Sequence, residues 1–193
     1  GVNWTRIARA LLLPLGAALL ACGPRVEPPK VAADAPPIDA CALLPEEEAI
    51  QLAGEDLDPV STALDRRVDR EIAKCSYANL GGPPFRMISL EVRRYPTPEL
   101  ARSTQESTLK FLRRIEQEGA EDVAGLGESA LWGASSQQLH LLTEDLRLIV
   151  TVQLGDRRFR GESARDIARR ALERLGAAAI SPAAPSAGGP HLR

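Results

Sequence analysis

Alternation of apolar and polar residues along this chain predicts a β-sheet, since side chains of a strand point to its two faces in turn. Strands are predicted at 71–78, 85–95, 129–132, 138–142 and 146–154. Gly and Pro residues at 80–84 join the first two strands as an antiparallel pair. The run 146–154 is rich in Leu, Ile and Val, which is typical of a central strand. The polar segment 55–69 contains one further candidate strand, at 60–64.

The first predicted helix begins at Pro45, a residue suited to the first helical position, and ends at Gly54. Glu46, Glu47 and Glu48 lie in its first turn, where the helix dipole favours negative charge. Consecutive helical positions diverge by about 100° around the axis. These carboxylates are therefore predicted to be solvated and not to form a metal or acid–base site.

A longer helix is predicted from Pro98 to about Glu118, with Thr97 as its N-cap and Gly119 after its end. Its predicted buried stripe consists of Leu100, Ala101, Thr104, Thr108, Phe111, Leu112 and Ile115. A third helix is predicted from Gly161-Glu162-Ser163 to Gly176.

These elements predict a single α+β domain at residues 41–176, with a mainly antiparallel sheet of about five strands packed by three helices. About 136 residues are enough for an apolar core without help from a metal or cofactor, and neither is predicted. The Pro-rich segment 22–40 and the tail 177–193 lack apolar periodicity, and both are predicted to be disordered.

Residues 1–21 have the three parts of a secretory signal peptide. Arg6 and Arg9 form the positive region, 10–20 the apolar region, and Ala21 is the small residue before the cleavage site. The apolar region is shorter than the roughly 20 residues that a membrane-spanning helix needs. The segment is therefore predicted to be a cleaved signal and not a membrane span.

Leu19-Leu20-Ala21-Cys22 resembles the lipobox of bacterial lipoproteins, with Leu three residues before the Cys and a small residue directly before it. The resemblance implies that a diacylglycerol is attached to the Cys22 thiol and that the mature chain begins there. Two or three acyl chains anchor a protein stably, because each buried methylene contributes about 0.8 kcal/mol. Gly23 stands where an Asp would favour retention at the inner membrane, so the resemblance permits the outer membrane. It implies an extracytoplasmic location at the cell membrane or outer membrane.

The prolines of 23–40 favour an extended polyproline II conformation. At about 3.1 Å per residue, roughly 18 residues would hold the domain on the order of 50 Å from the bilayer. Segment 22–40 is therefore predicted to be a tether between the lipid and the domain.

With Cys22 assigned to the lipid, Cys41 and Cys75 remain, and the signal peptide delivers them to an oxidising compartment. They are predicted to form a disulfide that stabilises the fold by roughly 3.5 to 4 kcal/mol through loop closure. A redox or metal-binding pair is the alternative, but the two residues have neither Cys-x-x-Cys spacing nor a neighbouring His.

Charge and reactive residues restrict the function classes. Residues 41–176 contain 19 Arg and Lys against 23 Asp and Glu, which does not favour nucleic-acid binding. Arginine clusters at 66–70, 93–94 and 157–160 are flanked by acidic residues in the first and third cases and are predicted to form local ion pairs. His140 is the single histidine of the domain and has no Ser, Cys and Asp arrangement at a recognisable spacing, so no catalytic residue is predicted.

A second resemblance extends over most of the domain. The residues that carry it are Cys41-Ala42-Leu43-Leu44, Gly54, Cys75-Ser76-Tyr77 and Gly125-Leu126-Gly127-Glu128-Ser129-Ala130. They resemble a family of envelope lipoproteins of unknown function from high-GC bacteria. Members of that family commonly have Asp-Pro before the first Cys and Trp two residues after the second, where this chain has Asp39-Ala40 and Tyr77. The resemblance implies an extracytoplasmic α+β domain with a Cys41–Cys75 bridge and brings no catalytic residues.

Two functions follow as expectations. The first is a lipid-anchored, non-catalytic envelope module, attached to the membrane through Cys22, that binds an envelope protein partner or supports an envelope complex. The second is a sensor or carrier that binds a small hydrophobic or anionic ligand between the sheet and the helices. Trp132, Tyr77 and Phe159 are the aromatic residues expected to line such a pocket.

Overall fold

The fold is known from a computed structural model, which describes residues 27–53, 57–81, 84–154 and 160–180, without the side chains of 177–180. The predictions for the signal peptide 1–21, for Cys22, for Gly54, for Phe159 and for residues 181–193 lie outside the described residues.

The helices are α1 (Ala40–Leu43), α2 (Glu46–Ala53), α3 (Pro98–Glu116) and α4 (Arg160–Ile180). The strands are β1 (Asp58–Arg66), β2 (Glu71–Ala78), β3 (Met87–Arg94), β4 (Ala120–Asp122), β5 (Ser129–Gly133), β6 (Gln138–Thr143) and β7 (Leu146–Gln153). A single 3-10 turn, Gln117–Gly119, separates α3 from β4.

The strands form one antiparallel sheet in the order β1-β2-β3-β7-β6-β5-β4. The α+β class is therefore confirmed, and β7 is the central strand, as its composition predicts. The described residues contain seven strands and four helices, where the sequence predicts about five and three. The additional elements, α1 and β4, are too short to show a period, and the candidate strand at 60–64 is part of the longer β1. A side-chain cap explains α1: the Asp39 carboxylate accepts hydrogen bonds from the amides of Cys41 and Ala42.

The first face of the sheet is apolar and is covered by α1, α2 and α4. Its buried strand residues are Ala73, Cys75, Tyr77, Ile88, Leu90, Val92, Leu139, Leu141, Leu148, Val150 and Val152. Helix α4 contributes Ala164, Ile167, Ala168 and Ala171 to the same core, and α2 contributes Ala49 and Ala53. Three of these four α4 residues are Ala, and small side chains allow a helix to pack close to a sheet. The core on this face consists mainly of aliphatic groups.

A disulfide links Cys41 of α1 to Cys75 of β2, with the two Cα atoms 5.1 Å apart. This confirms the predicted pairing. The bridge holds α1 against the first face and closes a loop whose ends are 34 residues apart in sequence.

The prediction that all three glutamates of α2 are solvated is wrong for Glu48. Glu46 and Glu47 are exposed, but Glu48 is buried and its carboxylate accepts a hydrogen bond from Arg174 of α4 at 2.5 Å. Arg170 is a second ion-pair partner, at 3.5 Å. The contact joins α2 to α4, and it depends on a helix distant in sequence, which explains why local pattern does not reveal it.

The second face is covered by α3 over only part of its area, and α3 is rotated relative to its predicted stripe. Its buried residues are Ala101, Gln105, Leu109, Leu112 and Glu116, whereas Phe111 and Ile115 are each 52% exposed. Leu109 and Leu112 pack on Leu131 of β5, which fixes this rotation. Two buried positions hold polar residues that a search for apolar periodicity passes over.

Two further boundaries differ from the predictions. Helix α4 does not end at Gly176 but continues to Ile180.

The last part of the predicted tether lies on the domain, since the Val31 amide donates to the Val68 carbonyl and Ile38 is buried. Glu71 fixes this segment: its carboxylate accepts from the Ile38 amide at 2.7 Å and from Arg94 at 3.3 Å. The tether therefore joins the sheet at the turn between β1 and β2.

Candidate functional site

The second face of the sheet carries polar side chains where α3 does not cover it. They alternate with the apolar residues of the first face: in β3, for example, Ser89, Glu91 and Arg93 alternate with Ile88, Leu90 and Val92. Antiparallel pairing aligns these residues across neighbouring strands. Glu91 lies opposite Lys74 of β2, and Arg93 lies opposite Arg147 of β7.

These side chains form the floor of a cleft of about 370 Å³. Thr108 of α3 contributes to its wall. The other lining residues are Lys74, Met87, Ser89, Glu91, Arg93, Gln138, His140, Arg147, Ile149, Thr151 and Gln153. The volume is at the lower end of the range found for small-molecule sites.

Arg147 is the most deeply buried charged residue of the cleft, at 2% exposure. Its guanidinium donates to the Gln105 side-chain carbonyl oxygen at 2.8 Å and to the Tyr95 hydroxyl at 3.3 Å. Both partners are neutral. Within the described residues, no carboxylate lies within ion-pair distance of Arg147.

His140 of β6 lines the same cleft and is 5% exposed. Its Nε2 lies 3.2 Å from the Gln138 side-chain oxygen, and its Nδ1 is buried without a hydrogen-bond partner among the described residues. Burial lowers the pKa of His140 to about 4, and the neighbouring charges of Arg147 and Arg93 act in the same direction. The imidazole is therefore neutral at physiological pH.

The remaining charges of the cleft are Arg93, Glu91 and Lys74. Arg93 donates to the Glu91 carboxylate at 2.5 Å, so these two charges compensate each other. Lys74 is half-buried and belongs to none of the ion pairs found among the described residues. With His140 neutral, Arg147 and Lys74 leave the cleft with an excess of positive charge.

Hydroxyl groups border the cationic part of the cleft. Strand register places Ser89 between Ser76 of β2 and Thr151 of β7, and Thr151 opposite Gln138 of β6. The Gln138 amide donates to the Thr151 hydroxyl at 3.3 Å. This row offers both donors and acceptors to a polar ligand.

An exposed stripe on α3 runs beside the cleft. Thr108 lines the cleft, and Phe111 and Ile115 follow it by three and seven residues, so the three share one side of the helix. Leu100 is also partly exposed on this side. Exposed apolar side chains thus lie on the side of α3 that borders the cationic polar cleft.

The aromatic residues predicted to line a pocket are not brought together by the fold. Tyr77 and Trp132 are part of the core on the first face, and the Tyr77 hydroxyl donates to the Leu44 carbonyl at 3.0 Å. Burial is the largest cause that raises the pKa of Tyr77. Phe159 lies outside the described residues. Trp132 does line a second cleft, of about 410 Å³, together with Ala134, Ser135, Gln137 and Arg160. The cleft between the sheet and α3 lies on the opposite face and is lined by neither Tyr77 nor Trp132.

The arginine clusters at 66–70 and 93–94 form local ion pairs, whereas residues 157–159 of the third cluster lie outside the described residues. Arg66 and Arg94 pair with Glu71, and Arg67 pairs with Asp65 at 2.8 Å. Arg147 stands outside the clusters and is missed by sequence reasoning. The available signal was the alternation in 146–153, which places Arg147 on the same face of β7 as Thr151.

The described ranges lack two features, a metal-binding cluster and a membrane-spanning helix. They contain no group of three or more His, Cys, Asp or Glu side chains able to hold a metal ion. They also contain no helix that is long and apolar enough to cross a membrane.

Comparison of the chain with protein-family models, with curated protein sequences and with solved structures finds no match. The likeness to envelope lipoproteins therefore remains a prediction from the residues that carry it.

Proposed function

We propose that this protein is a lipid-anchored, non-catalytic binding module of the bacterial cell envelope, attached to a membrane through Cys22. The signal peptide pattern of 1–21 and the lipobox-like Leu19-Leu20-Ala21-Cys22 support the anchor. The inventory of reactive residues supports a non-catalytic role, because the one histidine of the domain is buried and bonded to Gln138.

The observation that carries the binding function is the exposed stripe on α3. Phe111 and Ile115 present half of their surface to solvent directly beside an uncovered cleft. Exposed aromatic and aliphatic side chains next to charged groups are typical of protein-binding surfaces. Because the cleft carries an excess of positive charge, the expected occupant is a protein that presents apolar residues flanked by acidic ones.

The position of the tether supports this assignment. The tether reaches the domain at the turn between β1 and β2, the end of the sheet where α3 begins. Phe111 and Ile115 lie 13 and 17 residues after Pro98, about 20 to 25 Å along the helix axis. A segment as long as 23–30 would span about 25 Å if it were extended. In this proposal the binding surface faces away from the bilayer, toward other envelope proteins.

Intact mass spectrometry tests the anchor. A mature chain that begins at Cys22 and carries added acyl mass is expected. Reduction of the disulfide should raise the mass of this chain by two units. Cys22→Ala should remove the acyl mass and release the protein from membranes. A wild-type chain without acyl groups would overturn the anchor.

Site-specific photo-crosslinking in the native host tests the binding surface. A photoreactive residue at Phe111 is expected to give one defined adduct, and Ile115→Ser should abolish it. The same residue at Leu64, which is 51% exposed on β1, is the matched control. Equal adducts from both positions, or a crosslink only between two copies of this chain, would contradict the proposal.

A second candidate function is a sensor or carrier of a small anionic ligand. The specific observation in its favour is the buried Arg147 in a cleft of suitable volume. A ligand that co-purifies at near one-to-one stoichiometry would favour it over the protein-binding module.

A further inference from the structure

Arg147 differs from the buried charges Glu71 and Glu48 and, like the buried Glu116, has no oppositely charged partner among the described residues. Glu71 and Glu48 are both buried, and each has arginine partners: Arg94 and Arg66 for Glu71, Arg174 and Arg170 for Glu48. Burying a charge is costly unless an opposite charge or several hydrogen bonds compensate it. Arg147 has only the neutral oxygens of Gln105 and Tyr95.

Two neutral groups next to this charge also lack partners among the described residues. They are Nδ1 of His140 and Nε2 of Gln105, both buried. Buried polar groups are nearly always hydrogen-bonded, so each unpaired group needs an explanation. Arg147 has only neutral partners, and His140, which lines the same cleft, has an unpartnered ring nitrogen. Gln105, which binds Arg147, has an unpartnered amide nitrogen.

The hydrogen-bond network assigns the tautomer of His140. The Gln138 amide nitrogen donates to Thr151, which leaves its side-chain oxygen to accept from His140 Nε2. In a neutral imidazole whose Nε2 carries the proton, Nδ1 is an acceptor. A ligand at this position would need to donate a hydrogen bond, as a hydroxyl group does.

We propose that the cleft is a binding site for a small hydroxy acid, whose carboxylate pairs with Arg147 and Lys74 and whose hydroxyl groups bond to His140 and to the row of Ser89 and Thr151. A guanidinium recognises a carboxylate through parallel hydrogen bonds, whereas the Glu91 carboxylate in the same cleft disfavours a dianion such as phosphate. This inference rests on the second candidate function and deepens it; it does not depend on the lipid anchor.

Isothermal titration of the full chain in detergent, with gluconate, glucuronate, glucose, acetate and inorganic phosphate as probes, tests the site. Saturable binding of gluconate or glucuronate is expected, with glucose and acetate at least tenfold weaker because each lacks one of the two recognised groups. Absence of saturable binding by both acids, or equal binding of phosphate, would overturn the proposal.

Variants locate the site. Lys74→Gln removes a charge that makes no ion pair among the described residues, and it should weaken acid binding about tenfold. Arg147→Gln should abolish binding, and Arg147→Lys should restore it in part if the fold is kept. Lys110→Gln, on the exposed side of α3, is the matched control and should bind as the wild type does. Equal weakening by Lys74→Gln and Lys110→Gln would indicate non-specific attraction and would contradict the site.

Discussion

The two faces of the sheet are formed by the same strands but bury different chemistry. The first face packs aliphatic side chains under α1, α2 and α4, and it includes residues such as Leu90, Leu148 and Val150 with no exposed surface. The second face buries Ser89, Thr151, His140 and Arg147 beside a cleft that α3 leaves uncovered. Apolar burial stabilises the fold, whereas buried polar groups on the other face cost free energy unless they find partners. The comparison indicates that one face specifies the structure and the other is available for binding.

The largest effect is expected from truncation of the first face. Leu90→Ala removes a fully buried side chain and should lower the free energy of unfolding by about 3 to 5 kcal/mol. Its neighbour in β3, Ser89, points to the second face, and Ser89→Ala should cost about 1 kcal/mol or less. Urea denaturation of both variants measures the contrast, and equal losses would break the distinction between the faces.

The disulfide reinforces the first face, and its removal should have the next largest effect. Replacing Cys41 and Cys75 together by Ala should lower stability by about 3.5 kcal/mol, because the unfolded chain regains the freedom of a loop of 34 residues. Chemical denaturation without reductant measures the loss. Wild-type protein in reductant is the control and should match the double variant, whereas a variant as stable as the oxidised wild type would contradict the estimate.

Acid should lower the free energy of unfolding through protonation of His140, which lies on the second face. Its pKa is about 4 in the folded protein, against about 6.5 when unfolded, so the unfolded state binds more protons between these values. The contribution of His140 to the free energy of unfolding is therefore fully present above pH 6.5. It declines by about 3 kcal/mol as the pH falls toward 4. Arg147 and Arg93 lower this pKa further, while Glu116 opposes them.

Denaturation at a series of pH values measures the decline, with His140→Gln as the matched variant. The variant should show little pH dependence between pH 6.5 and about 5.5, above most of the range in which carboxylates titrate. Glu116 titrates below that window, because its hydrogen bonds from Ser136 and Ser135 outweigh burial and lower its pKa. The same slope in wild type and variant would show that His140 is not the group responsible.

Sequence pattern predicted the first face well because that face obeys simple rules. Most apolar residues of β2, β3 and β7 occupy alternate positions and point to one core. Met87 and Ile149 are exceptions, because they line the cleft on the second face. The pairing of Cys41 with Cys75 was predictable too, since the predicted assignment of Cys22 to a lipid leaves only one pair of the three cysteines. Short elements such as α1 and β4 were missed because three or four residues do not establish a period.

The second face was harder to predict because its contacts join residues far apart in sequence. The buried Gln105 accepts a hydrogen bond from Arg147, 42 residues away in sequence. The buried Glu116 accepts hydrogen bonds from the amides of Ser135 and Ser136. Apolar periodicity gives such residues no weight, so the predicted stripe on α3 was assigned to the neighbouring line of residues. The sequence predicts no catalytic role for His140, and the surroundings of this residue depend on strand register, which no local pattern shows.

The smallest effect is expected on the exposed side of α3, and it separates binding from folding. Phe111→Ser should change the free energy of unfolding by no more than about 0.5 kcal/mol, because the side chain is half exposed and Leu112, not Phe111, packs on Leu131. Leu112→Ser is the matched variant and should destabilise the protein by several kcal/mol, since it places a polar group in that contact. Thermal denaturation of the two variants measures the difference. A loss at Phe111 comparable to that at Leu112 would mean that α3 is held by the stripe predicted from sequence, and the surface assigned to a partner would then belong to the core.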